Sequence, residues 1–122
     1  MNKKNKEPQL ASAVLMIRPV RFQSNPITAE SNRFQGKTSA TPEQQQAAAA
    51  KQFESIAAAL SGQGIRVICF DDTPEPHTPD AIFPNNWLSF HADGTVVLYP
   101  MLAVNRRTER RMDIVDSLAD QY

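Results

Sequence analysis

The segment PDAIFPNNWLSF concentrates the residue types in this chain that could hold a polar ligand. Asp80, Asn85 and Asn86 could hydrogen-bond a planar polar group, and Phe83 or Trp87 could cover the flat face of that group. The same polar residue types commonly cap turns, which would give them a purely structural role. Residue types alone therefore leave ligand binding and turn capping both open.

A second candidate is the arginine-rich segment NRRTER, residues 105–110. The guanidinium of an arginine here could bind a carboxylate through two parallel hydrogen bonds. The alternative is a solvated helix start whose arginines make ordinary ion pairs.

The remaining reactive side chains give weaker signals. His77 lies in a proline-rich loop, and His91 precedes a turn, where we expect it to face water. Neither histidine has a metal-ligand spacing with Cys, Asp or Glu. Cys69, the single cysteine, lies inside the run IRVICF, which predicts a small buried hydrophobic residue and not an activated thiolate. We therefore expect no metal and no cofactor.

Composition narrows the class of protein. The chain has 122 residues with 41% hydrophobic residues, which suits one soluble globular domain. Lys plus Arg and Asp plus Glu balance at 13 each, so we expect neither nucleic acid nor an anionic membrane surface as a partner. No apolar run reaches the ~20 residues of a membrane span. A single cysteine and the lack of a secretion signal predict a cytoplasmic location.

A strand, a helix and a second strand must position these residues. The apolar run Ala13–Ile17 predicts a strand buried on both faces. Thr41 as N-cap, Pro42 at the first helical position and Gln44 in a capping box predict a helix start. We expect that helix to bury one face, to run through Leu60 and to end at Gly62 or Gly64.

The run IRVICF, residues 65–70, predicts the second strand, and a strand–helix–strand unit of this length predicts two parallel strands. Trp87–His91 and Thr95–Tyr99 flank an Ala-Asp-Gly turn, which predicts a hairpin. We expect a final helix that starts near Arg106. Residues 1–12 read as a disordered tail and Val20–Ala40 as a long loop.

The motifs PDAIFPNNW, TVVLYPM and NRRTER, in this order, resemble the first modules of the pentein superfamily, the guanidino-group-modifying α/β-propeller enzymes. The most similar branch comprises arginine-deiminase-related, amidinotransferase-like hydrolases, some of which act on citrulline. The resemblance covers Val14 to about Arg111. It implies an α/β fold of ββαβ modules, about two of the five propeller blades, with residues 13–122 as the N-terminal part of a catalytic domain.

The resemblance also implies roles for four residues. In relatives that act on methylated arginines, two acids six residues apart grip the guanidinium and a phenylalanine between them packs on it. The matching positions are Asp80, Asn86 and Phe83. An arginine of the later segment holds the substrate's α-carboxylate, which matches Arg106, or Arg107 if the one-residue insertion is placed differently. The loop near Asn25 often covers the site in these enzymes, and no catalytic role is assigned to it.

The carboxamide of Asn86 departs from this pattern. A carboxylate suits a cationic guanidinium, whereas a carboxamide offers a donor and an acceptor to a neutral ureido group. This difference predicts a citrulline-like substrate in preference to arginine.

The resemblance implies a cysteine nucleophile and a histidine that residues 1–122 do not match, because Cys69 and His77 lie in the wrong elements. The final helical pattern also reaches the chain end without a stop signal. We therefore expect the N-terminal part of a longer C–N hydrolase, inactive alone and prone to form a homo-oligomer through uncovered strand edges. The alternative is a non-catalytic module that binds a small amino acid or serves in assembly.

Overall fold

The computed structural model describes residues 8–25, 27 and 39–121. Strand β1 spans Ala13–Arg18, helix α1 spans Pro42–Gly62 and strand β2 spans Arg66–Asp71. A short 3-10 helix, Pro84–Asn86, leads into strand β3, Leu88–Phe90, and strand β4, Val96–Leu98. A second 3-10 helix, Val104–Glu109, precedes helix α2, Met112–Ala119. The chain is therefore a mixed α/β structure.

Helix α1 begins where the sequence predicts. The Thr41 side chain accepts a hydrogen bond from the Gln44 backbone, the Gln44 side chain accepts one from the Thr41 backbone, and Pro42 occupies the first turn. The helix ends at Gly62, and Gly64, with φ of 80°, turns the chain toward β2. Phe53 is the buried residue of the helix, and Ile56 on the same side remains half exposed.

Strands β1 and β2 are parallel, with Ala13 opposite Arg66 and Arg18 opposite Asp71, which confirms the predicted pairing. The prediction that β1 is buried on both faces is wrong, because Ile17 is its one buried residue. Cys69 is exposed, so its predicted burial is also wrong. Ile68 and Phe70 pack on the core, and strand alternation turns Cys69 to the opposite face.

Strands β3 and β4 form the predicted antiparallel hairpin, with Leu88 opposite Leu98 and Phe90 opposite Val96. Gly94 adopts φ of 89° in the turn. The strands are shorter than predicted, but the backbone N–H of Tyr99 still donates to the Trp87 carbonyl at 2.8 Å.

The final α-helix starts at Met112, so the predicted start near Arg106 is wrong. Arg110 and Arg111 have extended backbones that separate α2 from the preceding 3-10 helix. The Arg111 side chain donates to the backbone carbonyl of Asp71 at 2.7 Å, which ties this break to the end of β2.

The hydrophobic core lies where the hairpin and α2 meet the sheet. Its buried residues are Ile17, Ala81, Trp87, Leu88, Met101, Ile114 and Leu118. In the described part of the chain, no helix is long and apolar enough to cross a membrane. Most of the predicted tail 1–12 and of the predicted loop Val20–Ala40 lies outside the described residues, so both stay predictions.

Candidate functional site

The loop that follows β2 folds back on itself, and Asp80 lies at the end of this loop. The Thr78 hydroxyl lies 3.0 Å from both carboxylate oxygens of Asp72, and both residues are buried. Burial raises the pKa of the Asp72 carboxyl more than the Thr78 and backbone hydrogen bonds lower it. The Asp72 N–H donates to the Arg18 carbonyl at 3.0 Å, so the loop is fixed to the carboxyl end of β1.

Consecutive tight turns shape the segment after this loop. The N–H of Phe83 donates to the Asp80 carbonyl, and the N–H of Asn86 donates to the Phe83 carbonyl, each at 3.1 Å. Trp87 anchors the segment in the core with 1% exposure, so it is not available to cover a ligand. Phe83, at 43% exposure, is an aromatic residue of the segment that a ligand could reach.

Asp80 is buried and lies at the centre of a polar cluster. Its Oδ2 atom accepts a hydrogen bond of 2.8 Å from Asn25 Nδ2, and Arg106 Nε lies 3.8 Å from the same oxygen. Asn25 is fully buried and Asp80 is 9% exposed. The carboxylate is thus held in a fixed place by residues from two distant segments.

Arg106 connects the predicted site residues. Its Nε and Nη2 atoms donate to the two carboxylate oxygens of Glu109, both at 2.9 Å. Its Nη1 atom donates to Asn86 Oδ1 at 3.0 Å, and Nη2 also reaches the Asp80 carbonyl at 3.4 Å. The Glu109 side chain is fully buried, and burial raises its pKa more than Arg106 lowers it. Four of the five guanidinium N–H groups of Arg106 therefore donate hydrogen bonds within the chain.

Arg107, the alternative to Arg106, has a different environment. Its Nε donates to the Met101 carbonyl at 3.1 Å and its Nη2 to the Leu102 carbonyl at 3.3 Å. Within the described part of the chain it makes no ion pair, and its Nη1 group is unused.

The structure brings Asp80, Asn86 and Arg106 together and places Phe83 beside them. Phe83 lines an apolar cleft of about 910 Å³ between β1, α1 and the segment 82–90. Among the described residues, that lining includes neither Asp80 nor Arg106, so the polar cluster and the cleft are distinct features. The ligand contacts of these four residues stay predictions.

Asn25 and Asn105 belong to the polar cluster, although their spacing in the sequence did not identify them as site residues. Asn105 Nδ2 donates to Asn25 Oδ1 at 2.9 Å, and Asn25 Nδ2 donates back to Asn105 Oδ1 at 3.1 Å. Asn25 lies in a polar loop where many asparagines and serines look alike. Its burial is a tertiary property that no local pattern reveals.

The histidines and the cysteine lie apart from this cluster. His77 Nε2 donates to the Arg21 carbonyl at 2.9 Å, and His91, exposed as predicted, lies 3.0 Å from the Ser89 hydroxyl. Partial desolvation raises the pKa of the Cys69 thiol more than nearby Arg18 lowers it, which disfavours a thiolate. No group of three His, Cys, Asp or Glu residues that could hold a metal ion occurs in the described ranges.

Comparison of the sequence with known protein families identifies the family of this chain. Residues 18–122 match the family described as N,N dimethylarginine dimethylhydrolase, eukaryotic. The chain belongs to the dimethylarginine dimethylhydrolase family. This family is part of the pentein superfamily of guanidino-modifying hydrolases. The match to the dimethylarginine dimethylhydrolase family includes Asp80, Phe83, Asn86 and Arg106. Neither the curated proteins nor the solved structures give a match.

Proposed function

We propose that this chain provides the substrate-binding part of a C–N hydrolase that acts on the guanidino or ureido group of an arginine-derived amino acid. The family supports the reaction class. The observation that carries the proposal is the fixed position of the Asp80 carboxylate, joined to Asn86 through Arg106. Asp80 and Asn86 would hydrogen-bond the planar head of the substrate, and Phe83 would pack on its face.

The orientation of Asn86 favours a neutral ureido head, as in citrulline. Because an arginine side chain only donates hydrogen bonds, the Asn86 atom that faces Arg106 must be the carbonyl Oδ1. Its Nδ2 group, which has no partner among the described residues, is then the part that a ligand meets. A ureido group offers a carbonyl oxygen to this donor, whereas a guanidinium has only donors of its own.

The charge of the cluster acts in the opposite direction. Asp80, Glu109 and Arg106 carry a net charge of −1 (two carboxylates and one guanidinium), which would attract a cation such as the N,N-dimethylarginine of the family's description. Arg106, however, contacts both Asp80 and Asn86 and is therefore closer to the head than Glu109 is. Its positive charge offsets much of the attraction, so the hydrogen bonds of Asn86 decide in favour of the neutral head.

The substrate's α-carboxylate would bind one of the two neighbouring arginines. The resemblance indicates Arg106, but the unused donors in the described structure are more numerous on Arg107. We propose Arg107 as the ligand and Arg106 as the group that holds Asp80 and Asn86. If so, Arg107→Gln weakens citrulline binding but leaves binding of a citrulline analogue without the carboxylate unchanged.

The thiolate nucleophile of the reaction would come from outside residues 1–122, because Cys69 is exposed on β2 and favours the protonated thiol. The 122-residue chain is then expected to release neither ammonia from citrulline nor dimethylamine from N,N-dimethylarginine. Turnover of either substrate by the purified chain would contradict this proposal.

Titration calorimetry of the chain with citrulline, N,N-dimethylarginine and ornithine tests the binding proposal. We expect citrulline to bind most tightly and ornithine, which lacks the planar head, to bind most weakly. Asp80→Asn keeps the shape of the side chain and should remove most of the difference between citrulline and ornithine. A tighter complex with N,N-dimethylarginine would refute the ureido head, and equal affinities for all three ligands would refute the site.

We also propose that the chain forms a partial propeller and self-associates. The β1–β2 sheet has two strands, each with one edge that no other described strand covers. Such edges promote pairing with another copy. A monomeric mass at high concentration in light scattering would contradict self-association.

A further inference from the structure

We propose that Asn25 and Asn105 form a latch that positions the Asp80 carboxylate toward the substrate head. This inference rests on the proposed function, because it assigns a binding role to residues that would otherwise be structural. The latch joins the loop after β1, the segment after β2 and the second 3-10 helix, which are distant in the sequence.

The bonding of Asn25 supports this role. Its Nδ2 group donates to Asp80 Oδ2 at 2.8 Å and to Asn105 Oδ1 at 3.1 Å. Its Oδ1 atom accepts from Asn105 Nδ2 at 2.9 Å and from the backbone N–H of Ile27 at 3.0 Å. These four bonds use both the donor end and the acceptor end of the carboxamide. The side chain therefore has one orientation, and the Nδ2 hydrogen that faces Asp80 cannot turn away.

The reciprocal pair with Asn105 explains why an amide is needed at position 25. An aspartate there would place a second carboxylate against Asp80, and an apolar residue would remove the 2.8 Å hydrogen bond to Asp80 and the reciprocal pair with Asn105. The amide donates a hydrogen bond to Asp80 without adding charge to the cluster. Arg106, at 3.8 Å from the same oxygen, is too far for a strong hydrogen bond and does not replace Asn25.

The inference is tested by how well variants distinguish citrulline from ornithine. Ornithine has the same amino-acid end but lacks the planar head, so a loss confined to the head lowers the affinity ratio of citrulline to ornithine. We expect Asn25→Leu to lower this ratio about tenfold. Asn105→Ala removes one half of the reciprocal pair and keeps the Asn25–Asp80 bond, and we expect a smaller decrease of about threefold.

Ile114→Val is the matched control. Ile114 is fully buried in the core and has no polar contact with the cluster, so its truncation lowers the melting temperature but should leave the ratio unchanged within twofold. All affinities are measured by calorimetry at a temperature where circular dichroism shows each variant folded. If Asn25→Leu does not fold, Asn105→Ala still tests the latch against the same control.

The outcomes separate this inference from the proposed function. A decreased ratio in the Asn25 or Asn105 variant, with an unchanged ratio in Ile114→Val, supports the latch. A wild-type chain that prefers citrulline, together with variants that keep the same preference, overturns the latch alone. A wild-type chain without preference among the ligands overturns both.

Discussion

The substitution Asn86→Asp should change the preferred head group of the ligand. In the wild-type chain the Nδ2 donor of Asn86 suits a ureido oxygen, because Arg106 already occupies Oδ1. The substitution replaces that donor with a second carboxylate oxygen. The variant therefore loses a hydrogen bond to citrulline and gains an attraction to the cation of N,N-dimethylarginine.

The magnitude follows from two terms. The lost hydrogen bond weakens citrulline binding by about 0.5–1.5 kcal/mol. A new charge about 4 Å from a cationic head is worth about 1 kcal/mol in water and about 4 kcal/mol near a protein surface, and the exposure of Asn86 favours the lower part, about 1–2 kcal/mol. Together these terms change the ratio of the two affinities by about 10- to 300-fold.

Calorimetric titration of wild-type and variant chains with both ligands measures this ratio. Asn85→Asp is a matched control, since it adds the same charge one residue away without a contact to Arg106, and we expect a clearly smaller change. Added salt should reduce the gain for the cation, because salt screens exposed charges, but not the loss for citrulline. An Asn86→Asp chain that keeps the wild-type ratio would show that Asn86 does not contact the head.

Three further predictions concern the fold and the buried charges. Ile114→Ala should lower the free energy of unfolding by about 2–5 kcal/mol in urea titrations, because Ile114 is fully buried in the core; a loss below 1 kcal/mol would contradict that packing. Thr41→Ala removes the helix cap and should lower the free energy of unfolding by about 1 kcal/mol. Ser39→Ala, at an exposed position near the cap, should have little effect. Burial raises the pKa of Glu109, so its contribution to stability is present below about pH 4.5 and is lost as pH rises through the raised pKa. Glu109→Gln should therefore show a smaller decrease of stability between pH 4.5 and 7 in urea titrations, and an unchanged decrease would refute the assignment.

Local signals predicted the elements of the fold well. Helix α1 begins and ends as expected, because its start and stop signals lie within a few residues of its ends. These signals are the Thr41 cap, Pro42 in the first turn and the glycines after the helix. The parallel pairing of β1 and β2 followed from the length of the connection between them.

The wrong predictions depended on tertiary contacts. Strand alternation separates Cys69 from Ile68 and Phe70, but it does not reveal which face the core covers. The pattern after residue 105 looks like one helix, yet Glu109 turns inward to Arg106 and Arg111 reaches the carbonyl of Asp71. These contacts end the 3-10 helix before α2 begins.

The same limit applies to the site. Asp80, Asn86 and Arg106 were marked by residue type and by resemblance, and the structure brings them together. Asn25 was not marked as a site residue, because its partners Asp80 and Asn105 lie 55 and 80 positions away in the sequence.

These separations link ligand affinity to the folding equilibrium. Asn25, Asp80 and Asn105 lie in three segments, and unfolding of any one of them would release the Asp80 carboxylate from its fixed orientation. A ligand that depends on this carboxylate therefore binds only the completely folded chain. Such a ligand at 100 times its dissociation constant would add about 2.7 kcal/mol to the free energy of unfolding. Substrate could thus act as a chemical chaperone for this chain, and screening for compounds that raise its melting temperature would find ligands without any enzymatic assay.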